Sequence, residues 1–306
     1  MLLLEEGHAV VGVDNMNDAY DVRIKQHRLE QIEGSAGFQF QHMDIGDNEA
    51  VRTLAAFGPF DAVINLAARA GVRSSLEDPW VYVRTNVDGT LNLLELCRHN
   101  HIKKFVLAST SSIYGADAPL PTPETANSST PLQPYAATKK GAEAMCHAYH
   151  YLYDIDVTIV RYFTVYGPAG RPDMVMFRFA KWIREGELIQ LNGDGEQSRG
   201  FTYVDDVARG TILATQSPGF EIINLGGHES ITINQLITLL EDRIGRKGKV
   251  ERHPFPKADV LASWANVEKA GELLGWEPAI SLQEGIKRVV EWYEAQRHWA
   301  RDLNLD

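Results

Sequence analysis

The sequence predicts an α/β fold built on a doubly wound parallel sheet. Short apolar runs rich in β-branched residues alternate with longer segments of helical periodicity through the first half of the chain. Such alternation is typical of a parallel sheet that is covered by helices on both faces. The runs are continuously apolar, as expected of strands buried on both faces. The 306 residues suffice for one large domain or two smaller ones.

The predicted elements follow in order along the chain. The early strands cover residues 8–14, 38–44, 62–68, 104–109 and 157–163. The helices between them cover residues 20–33, 47–57, 79–100 and 136–152. The later elements are a helix near 176–185, short strands near 189–191 and 200–204, a buried strand at 221–226, and helices at 232–244 and 281–297. Polar residues that end the parallel strands are candidate ligand contacts, because a doubly wound sheet binds its ligand there.

Composition and charge exclude several classes of protein. The net charge of −11 argues against a broad nucleic-acid surface, and no apolar run reaches membrane-spanning length. Cys97 and Cys146 have neither metal-ligand nor disulfide spacing, so we expect them to fill the core and expect no metal site. This cysteine usage suits a reducing cytoplasm. Residues 1–4 are too short and too acidic in their continuation for a secretory signal, so we expect a cytoplasmic protein.

Tyr135 and Lys139 form the most informative pair. Their spacing puts both side chains on one face of a helix, and the hydroxyl-rich segment Ala108–Gly115 lies just upstream. A phenol, an ammonium and a hydroxyl together can move a proton on or off an alcohol oxygen. We expect the ammonium to favour the phenolate and so to lower the pKa of Tyr135. The same spacing is common on amphipathic helices, so the pair alone does not establish catalysis.

Asp14 ends a predicted strand and is a candidate contact for a dinucleotide. A carboxylate at this place can bind both ribose hydroxyls of NAD and repel the extra phosphate of NADP, although it could equally cap a helix. Such a site also needs an earlier strand and a Gly-rich turn. Neither precedes Asp14, and residues 1–8 read as the end of the helix that would follow that turn. We therefore expect a gap in the sheet, and a translation start further upstream would explain it.

Three stretches carry a resemblance to a known family: Val13–Asp21, Leu66–Arg73 and Phe163–Met174. With the residues above, they resemble the extended short-chain dehydrogenase/reductase family of nucleotide-sugar epimerases and dehydratases, nearly end to end. Within it they are most similar to UDP-glucuronate 4-epimerases. The resemblance implies a Rossmann-like NAD-binding domain over residues 1–168, to which residues 201–228 return. Residues 169–306 would mainly form a smaller substrate domain.

The resemblance also implies roles at the matching positions. The catalytic residues would be Thr110, Tyr135 and Lys139. The NAD contacts would be Asp14, Asn15, Asp44, Ile45, Leu66, Ala67, Ala68, Asn86, Tyr135 and Lys139. The substrate contacts would be Ser111, Ser112, Thr164, Arg171, Arg199 and Asp259. The chain departs from the family pattern at Gly200 and Asn266, where aspartate is usual, and we expect both departures to tune the pocket.

The implied reaction is epimerisation at C4 of a UDP-sugar through a 4-keto intermediate. Dehydrating relatives carry an Asp-Glu pair after the catalytic threonine, and decarboxylating relatives carry a glutamate shortly before the Tyr-Gly pair; here Ser111, Ser112 and Ile113 stand instead. UDP-glucuronate is the expected substrate. UDP-glucose 4-epimerase, UDP-glucuronate decarboxylase and a non-catalytic relative that cannot hold NAD remain alternatives. The resemblance further implies a homodimer formed by helices 79–100 and 136–152.

Overall fold

The computed structural model of the protein describes residues 1–227 and 229–305. Residues 228 and 306, which end two of the predicted domain segments, lie outside the described residues. The helices are α1 (Leu2–Glu5), α2 (Val22–Glu30), α3 (Asn48–Thr53), α4 (Pro79–Tyr82), α5 (Gly89–His99), α6 (Pro134–Tyr153), α7 (Val175–Glu185), α8 (Val204–Leu213), α9 (Ile233–Ile244), α10 (Glu268–Leu274) and α11 (Leu282–Ala300). The strands are β1 (Val10–Asp14), β2 (Phe38–His42), β3 (Ala62–Asn65), β4 (Lys104–Thr110), β5 (Asp156–Tyr162), β6 (Val165–Tyr166), β7 (Leu188–Asn192), β8 (Ser198–Gly200), β9 (Thr202–Tyr203), β10 (Phe220–Leu225), β11 (Ser230–Thr232), β12 (Lys249–His253) and β13 (Ala262–Ser263).

The parallel strands of the first half form two groups. Strands β3, β4, β5 and β10 pair in the order β10-β5-β4-β3, all parallel, with Thr110 opposite Tyr162. Strand β1 pairs with β2, also in parallel, with Asp14 opposite His42. Among the described residues, β1 and β3 do not pair with each other. The predicted parallel α/β architecture is therefore confirmed, and the expected break in the sheet lies between these two groups.

Local sequence signals define several helix ends. Asp21 and Asp47 cap α2 and α3 by accepting hydrogen bonds from backbone N–H groups of the first turn. Thr232 and Gln235 form a reciprocal capping box at α9, and Gly245 ends that helix in the left-handed region. These short-range signals explain why the predicted helix near 232–244 agrees with the structure within one residue.

The predicted helix 79–100 is divided. A π-helical stretch, Val83–Asp88, separates α4 from α5 and contains Asn86, which is fully buried. Such stretches are rare and often occur near functional sites. The Asn86 amide donates to the Arg69 carbonyl and to the Thr138 hydroxyl, so this stretch joins the loop after β3 to α6.

Some elements were missed because their sequences lack the expected periodicity. Strand β12 has the sequence Lys-Val-Glu-Arg-His and is mostly exposed. Among the described residues its one partner is β7. An exposed edge strand of this kind needs no apolar run, and the sequence has none. The predicted strand at 200–204 is correct only in part, since α8 begins at Val204 with Asp205 and Asp206 in its first turn. Acidic side chains in a first turn stabilise the helix macrodipole. The predicted strand 62–68 ends at Asn65, and the remainder is a loop.

Two large apolar clusters fill the interior. One lies between the parallel sheet and α5 and α6, and it includes Cys97 and Cys146, both 0% exposed. The prediction that these cysteines fill the core is confirmed. The other lies among α7, α9 and α11. Within the described part of the chain, none of the helices combines the length and apolar character that crossing a membrane requires.

A buried ion pair joins the central strands to α6. Glu143 of α6 accepts hydrogen bonds from the Arg161 guanidinium of β5 at 3.0 and 2.8 Å, and from the Ser109 hydroxyl of β4 at 2.6 Å. Glu143 and Arg161 are 3% and 1% exposed. Burial acts to raise the pKa of Glu143, but the hydrogen bonds and charge of Arg161 outweigh it and hold that pKa below its ordinary value.

We expect Glu143→Gln to lower the free energy of unfolding by about 3–5 kcal/mol, because it leaves the buried Arg161 cation without its counter-ion. Urea denaturation at pH 7 measures this. The matched control is Arg243→Met, which removes an exposed pair with Glu291 and should change stability by at most about 1 kcal/mol. Because the pKa of Glu143 is lowered, its stabilisation is present at neutral pH and is lost as the pH falls through that lowered value. Equal effects of the two substitutions would contradict this account.

Candidate active site

One cleft of about 810 Å³ opens at the carboxyl ends of β4 and β5. Its walls contain two of the three predicted catalytic residues, Thr110 and Tyr135. All the predicted substrate contacts also line it: Ser111, Ser112, Thr164, Arg171, Arg199 and Asp259. Residues spread over 150 positions in the sequence therefore converge on one cavity, as expected where parallel strands end together.

Thr110 is the last residue of β4, and its backbone is already extended when the chain turns into a 3₁₀ turn. Its hydroxyl accepts a hydrogen bond from the Ser112 N–H at 3.2 Å, and it donates to the Ser112 hydroxyl at 3.2 Å. Tyr135 stands in the first turn of α6, where Pro134 begins the helix. The Tyr82 ring packs edge-on against the Tyr135 ring, with centroids 6.2 Å apart.

The pKa of Tyr135 behaves differently from the prediction. Burial raises it above the ordinary value, and the Thr110 hydroxyl and the charge of Arg171 oppose that rise. The groups that oppose the rise are Thr110 and Arg171, and the effect of the Lys139 ammonium on this pKa stays a prediction. Lys139 is only 2% exposed, and burial lowers its own pKa to about 8. The cation whose charge opposes the rise in the Tyr135 pKa is Arg171, which sequence spacing could not identify.

The residues predicted to hold the adenosine end lie after β1 and β2. The side chain of Asp14 is 45% exposed, and its carboxylate accepts hydrogen bonds from the Met16 N–H at 2.7 Å and from the Lys25 ammonium at 3.1 Å. The Asp44 carboxylate accepts from the Gly46 N–H at 2.8 Å and lies 3.8 Å from the Arg84 guanidinium. Both carboxylates remain accessible to a ribose or an adenine amine.

The other predicted cofactor contacts differ in accessibility. The side chains of Leu66 and Ala68 are exposed after β3, and Ala67 is half-buried. The Asn15 carbonyl lies 2.9 Å from the His42 ring. Ile45 is 5% exposed, so only its backbone could meet a ligand. Asn86 is fully buried and bonded to Arg69 and Thr138, so it orients the loop after β3 and α6 and leaves no free group for a ligand.

The residues present fit the two ends of a dinucleotide. Two accessible carboxylates stand at the end of β1 and after β2, a hydroxyl ends β4, and a phenol lies in the first turn of α6. An unpartnered buried oxygen, Asn65 Oδ1, lies at the end of β3. Among the described residues, the chain after β3 is the segment placed to meet the pyrophosphate, and no Gly-rich turn stands between β1 and α2. The fit is to the two nucleosides, and it is incomplete at the pyrophosphate.

Arg171, which lines the cleft, is held in place by an acidic neighbour. Its guanidinium donates two hydrogen bonds to the Asp173 carboxylate, at 3.0 and 2.6 Å. Burial acts to lower the pKa of Arg171, but the Asp173 carboxylate outweighs it and raises that pKa. The guanidinium therefore stays charged beside Tyr135 and could bind an acidic group of a ligand.

Arg199 and Asp259 approach the cleft from the later part of the chain. The Arg199 guanidinium donates to the backbone carbonyls of Ser198 and Val260, both at 2.7 Å. Burial lowers its pKa, as does the nearby charge of Arg73. Asp259 accepts a 2.6 Å hydrogen bond from Arg73, so it is ion-paired and not free for a ligand hydroxyl in this structure.

Sequence reasoning missed two cleft residues, Arg69 and Arg73. Both lie in a stretch that carried the resemblance, and their positive charge in an acidic chain was the available signal. The two departures from the family pattern lie outside the cleft wall. A Cβ at Gly200 would lie 2.7 Å from the Trp264 Cβ, so the buried backbone there has no room for aspartate, and Asn266 bonds to Glu268. Because neither residue lines the cleft, any effect of theirs on the pocket would be indirect, and that they tune it stays a prediction.

Comparison with known proteins places this geometry in context. The sequence profile of the NAD dependent epimerase/dehydratase family matches residues 1–226. A UDP-glucuronate 4-epimerase of Thermodesulfobacterium geofontis is 57% identical over 291 residues, covering 95% of this chain and 90% of that relative.

Solved structures agree with the sequence comparison. The UDP-glucuronic acid 4-epimerase of Bacillus cereus, in complex with UDP-glucuronic acid and NAD, is 35% identical and superimposes with a TM-score of 0.91 over 96% of this chain and 94% of that one. The UDP-glucose 4-epimerase of Thermotoga maritima, with UDP-glucose, is 33% identical with a TM-score of 0.89 over 97% and 94%. The chain therefore belongs to the NAD dependent epimerase/dehydratase family.

Proposed function

We propose that this protein catalyses the NAD-dependent epimerisation of a UDP-sugar at C4, interconverting UDP-glucuronate and UDP-galacturonate. The observation that carries the proposal is the convergence of Thr110, Tyr135 and Arg171 on one cleft. A phenol and a hydroxyl suit the oxidation of a sugar alcohol, and an adjacent guanidinium suits an acidic sugar. The similarity to the Thermodesulfobacterium geofontis enzyme supports both parts.

Tyr135 would remove the proton from the sugar 4-hydroxyl, and Thr110 would hold the same oxygen as charge develops on it. NAD would supply the hydride chemistry, taking the hydride from C4 and, after the 4-keto sugar rotates in the cleft, returning it to the opposite face. The positive charge of Arg171 would help to stabilise the phenolate, because it opposes the effect of burial on Tyr135. Lys139, one helical turn beyond Tyr135, would bind the ribose of the nicotinamide end. The raised pKa of Tyr135 disfavours the phenolate, so the positive charge of Arg171 would assist its deprotonation.

We assign cofactor binding to the half of the chain formed by residues 1–168 and 201–228, as the resemblance implies. Strand β10 returns to pair with β5 and supports this division. The adenosine end would meet Asp14, Asn15, Asp44 and the Ile45 backbone, and the middle would meet Leu66, Ala67 and Ala68. Residues 169–306 would mainly hold the nucleotide sugar. Arg199 would bind the diphosphate, since a guanidinium matches phosphate oxygens, and Arg73 would join it from the other half.

The sugar carboxylate needs restraint, because an oxidised glucuronate is a β-keto acid that can lose carbon dioxide. Ser111, Ser112 and Thr164 supply hydroxyls in the cleft, and Arg171 supplies a charge. These groups would hold the carboxylate so that the breaking bond cannot align with the ketone. The 3₁₀ turn after Thr110 carries serines where decarboxylating and dehydrating relatives place acids, which favours epimerisation over those reactions.

We further propose a cytoplasmic homodimer. The buried free thiols Cys97 and Cys146 suit a reducing compartment. Apolar side chains remain exposed on the helices implied as the interface, with Trp80 at 80% and Tyr151 at 79%. Exposed large apolar groups on neighbouring helices favour association with a second surface.

We expect Tyr135→Phe to reduce the turnover of UDP-glucuronate by at least about 10²-fold, because it removes the group that accepts the proton. The matched control is Tyr151→Phe, an exposed tyrosine on the same helix, which should retain the wild-type rate. Chromatographic separation of UDP-glucuronate from UDP-galacturonate measures both. Wild-type turnover by Tyr135→Phe would refute its proposed role, and a wild-type protein that neither binds NAD nor turns over would favour a non-catalytic relative.

Arg171→Ala and Thr164→Ala should increase the share of UDP-pentose among the products, because the carboxylate is no longer held out of line with the ketone. Mass spectrometry of the nucleotide sugars measures that share. Arg243→Ala, which removes an exposed arginine of α9, should leave it unchanged. If the alanine variants still oxidise the substrate and release no more pentose than wild type, the proposed restraint is absent.

Trp80→Glu should convert the dimer to a monomer, because it places a charge in the apolar surface of α4. Light scattering coupled to size-exclusion chromatography gives the mass directly. The control Trp264→Phe changes a tryptophan away from these helices and should leave the mass unchanged. A monomeric wild-type protein would rule out the homodimer.

A further inference from the structure

Three cations surround an aromatic ring in the segment between β1 and α2. The ring centroid of Tyr20 lies 5.2 Å from the Lys25 ammonium, 5.4 Å from the Arg171 guanidinium and 5.8 Å from that of Arg28. All three distances are within the range of a cation–π interaction. Tyr20 is half-buried and lies outside the cleft, whereas Ala19 beside it lines the wall. The ring therefore backs the cleft where Arg171 enters it.

Arg28 ties the same place to the loop that carries Arg171. Its guanidinium donates two hydrogen bonds to the Ala169 carbonyl, at 2.9 and 2.6 Å, and a third to the Tyr20 hydroxyl at 3.1 Å. Ala169 has a φ of 50°, a left-handed conformation that is unfavourable for alanine and needs support from its surroundings. Arg28 of α2 supplies that support two residues before Arg171.

Lys25 fixes the ring from the other side. Its ammonium donates to the Asp14 carboxylate at 3.1 Å and to the Asn17 side-chain oxygen at 3.2 Å, and its side chain is 9% exposed. Tyr20 is therefore held by a lysine anchored at the end of β1 and by an arginine anchored on the loop. Neither Tyr20 nor Arg28 touches the predicted catalytic residues, and the reaction itself does not require them.

Arg171 has two partners that constrain it: the Asp173 carboxylate and the Tyr20 ring. The Asp173 carboxylate accepts hydrogen bonds from one edge of the Arg171 guanidinium. The Tyr20 ring lies against the same guanidinium and further restricts its position. A guanidinium held in this way can present its remaining N–H groups to an anion without losing side-chain freedom at the time of binding.

We propose that Tyr20 and Arg28 are positioning residues that hold Arg171 for the carboxylate of the sugar, and so set the preference for acidic over neutral UDP-sugars. The inference rests on the proposed function, because it assumes that Arg171 binds that carboxylate. Damage to the fold would weaken the binding of every UDP-sugar. Loss of this positioning would weaken only the binding of acidic ones, because the diphosphate arginines are untouched.

The experiment is calorimetric binding of UDP-glucuronate and UDP-glucose to the whole protein, which does not require turnover. Tyr20→Leu removes the ring and should weaken UDP-glucuronate binding by roughly 3- to 30-fold, with UDP-glucose within about twofold of wild type. Tyr20→Phe keeps the ring and should retain the wild-type ratio of the two dissociation constants. Arg28→Lys keeps the positive charge but cannot make both hydrogen bonds to the Ala169 carbonyl. It should shift the ratio of the two dissociation constants in the same direction as Tyr20→Leu.

A double variant separates positioning from other effects. If Tyr20 acts through Arg171, Tyr20→Leu should not change the ratio further in an Arg171→Ala background. Equal weakening of both ligands, or an unchanged ratio in Tyr20→Leu and Arg28→Lys, would overturn the inference. A wild-type protein that does not prefer UDP-glucuronate would instead refute the proposed substrate. If Tyr20→Leu fails to fold, judged by its thermal unfolding, Arg28→Lys decides the question.

Discussion

The buried pair of Glu143 and Arg161 is the interaction on which the candidate site depends. Glu143 joins α6 to two adjacent parallel strands, because it accepts from Arg161 of β5 and from Ser109 of β4. Thr110 follows Ser109 directly, and Tyr135 stands in the first turn of the helix that carries Glu143. One carboxylate therefore fixes the relative position of the hydroxyl and the phenol. Buried charges persist only where they are paired and hydrogen-bonded, and here Tyr114 completes the shell around Arg161.

A second constraint is the way charge is distributed in an acidic protein. The net charge is −11, yet the cleft wall carries more basic than acidic residues: Arg69, Arg73, Arg171, Arg178 and Arg199 against Glu77, Asp173 and Asp259. These guanidiniums come from both halves of the chain, and Arg73 bridges the halves through Asp259. A focused positive site within an acidic surface suits a small anionic ligand and disfavours a polyanion. The charge of Arg171 also acts on Tyr135, because it opposes the rise that burial causes in the pKa of the phenol.

Much of the parallel sheet could be predicted because buried strands and capped helices leave local signals. Thr110 and Tyr135 could be found because their chemistry and spacing are local. The direction of the Tyr135 pKa shift could not be predicted, because it depends on burial and on the charge of Arg171. That arginine is 36 positions away in the sequence and acts on Tyr135 only after folding. The pairing of Arg73 with Asp259 spans 186 positions and was invisible for the same reason. The π-helical stretch around Asn86 has no known sequence signal and depends on tertiary hydrogen bonds.

In the proposed reaction, the hydride that leaves C4 of UDP-glucuronate returns to the same carbon. Proton NMR of the reaction in deuterium oxide is the decisive measurement, because that hydride never exchanges with solvent. We expect UDP-galacturonate to form with protium retained at C4 and at C5. Deuterium at C5 would indicate an enolising mechanism. Deuterium at C4, or UDP-pentose as the main product, would refute return of the hydride to C4.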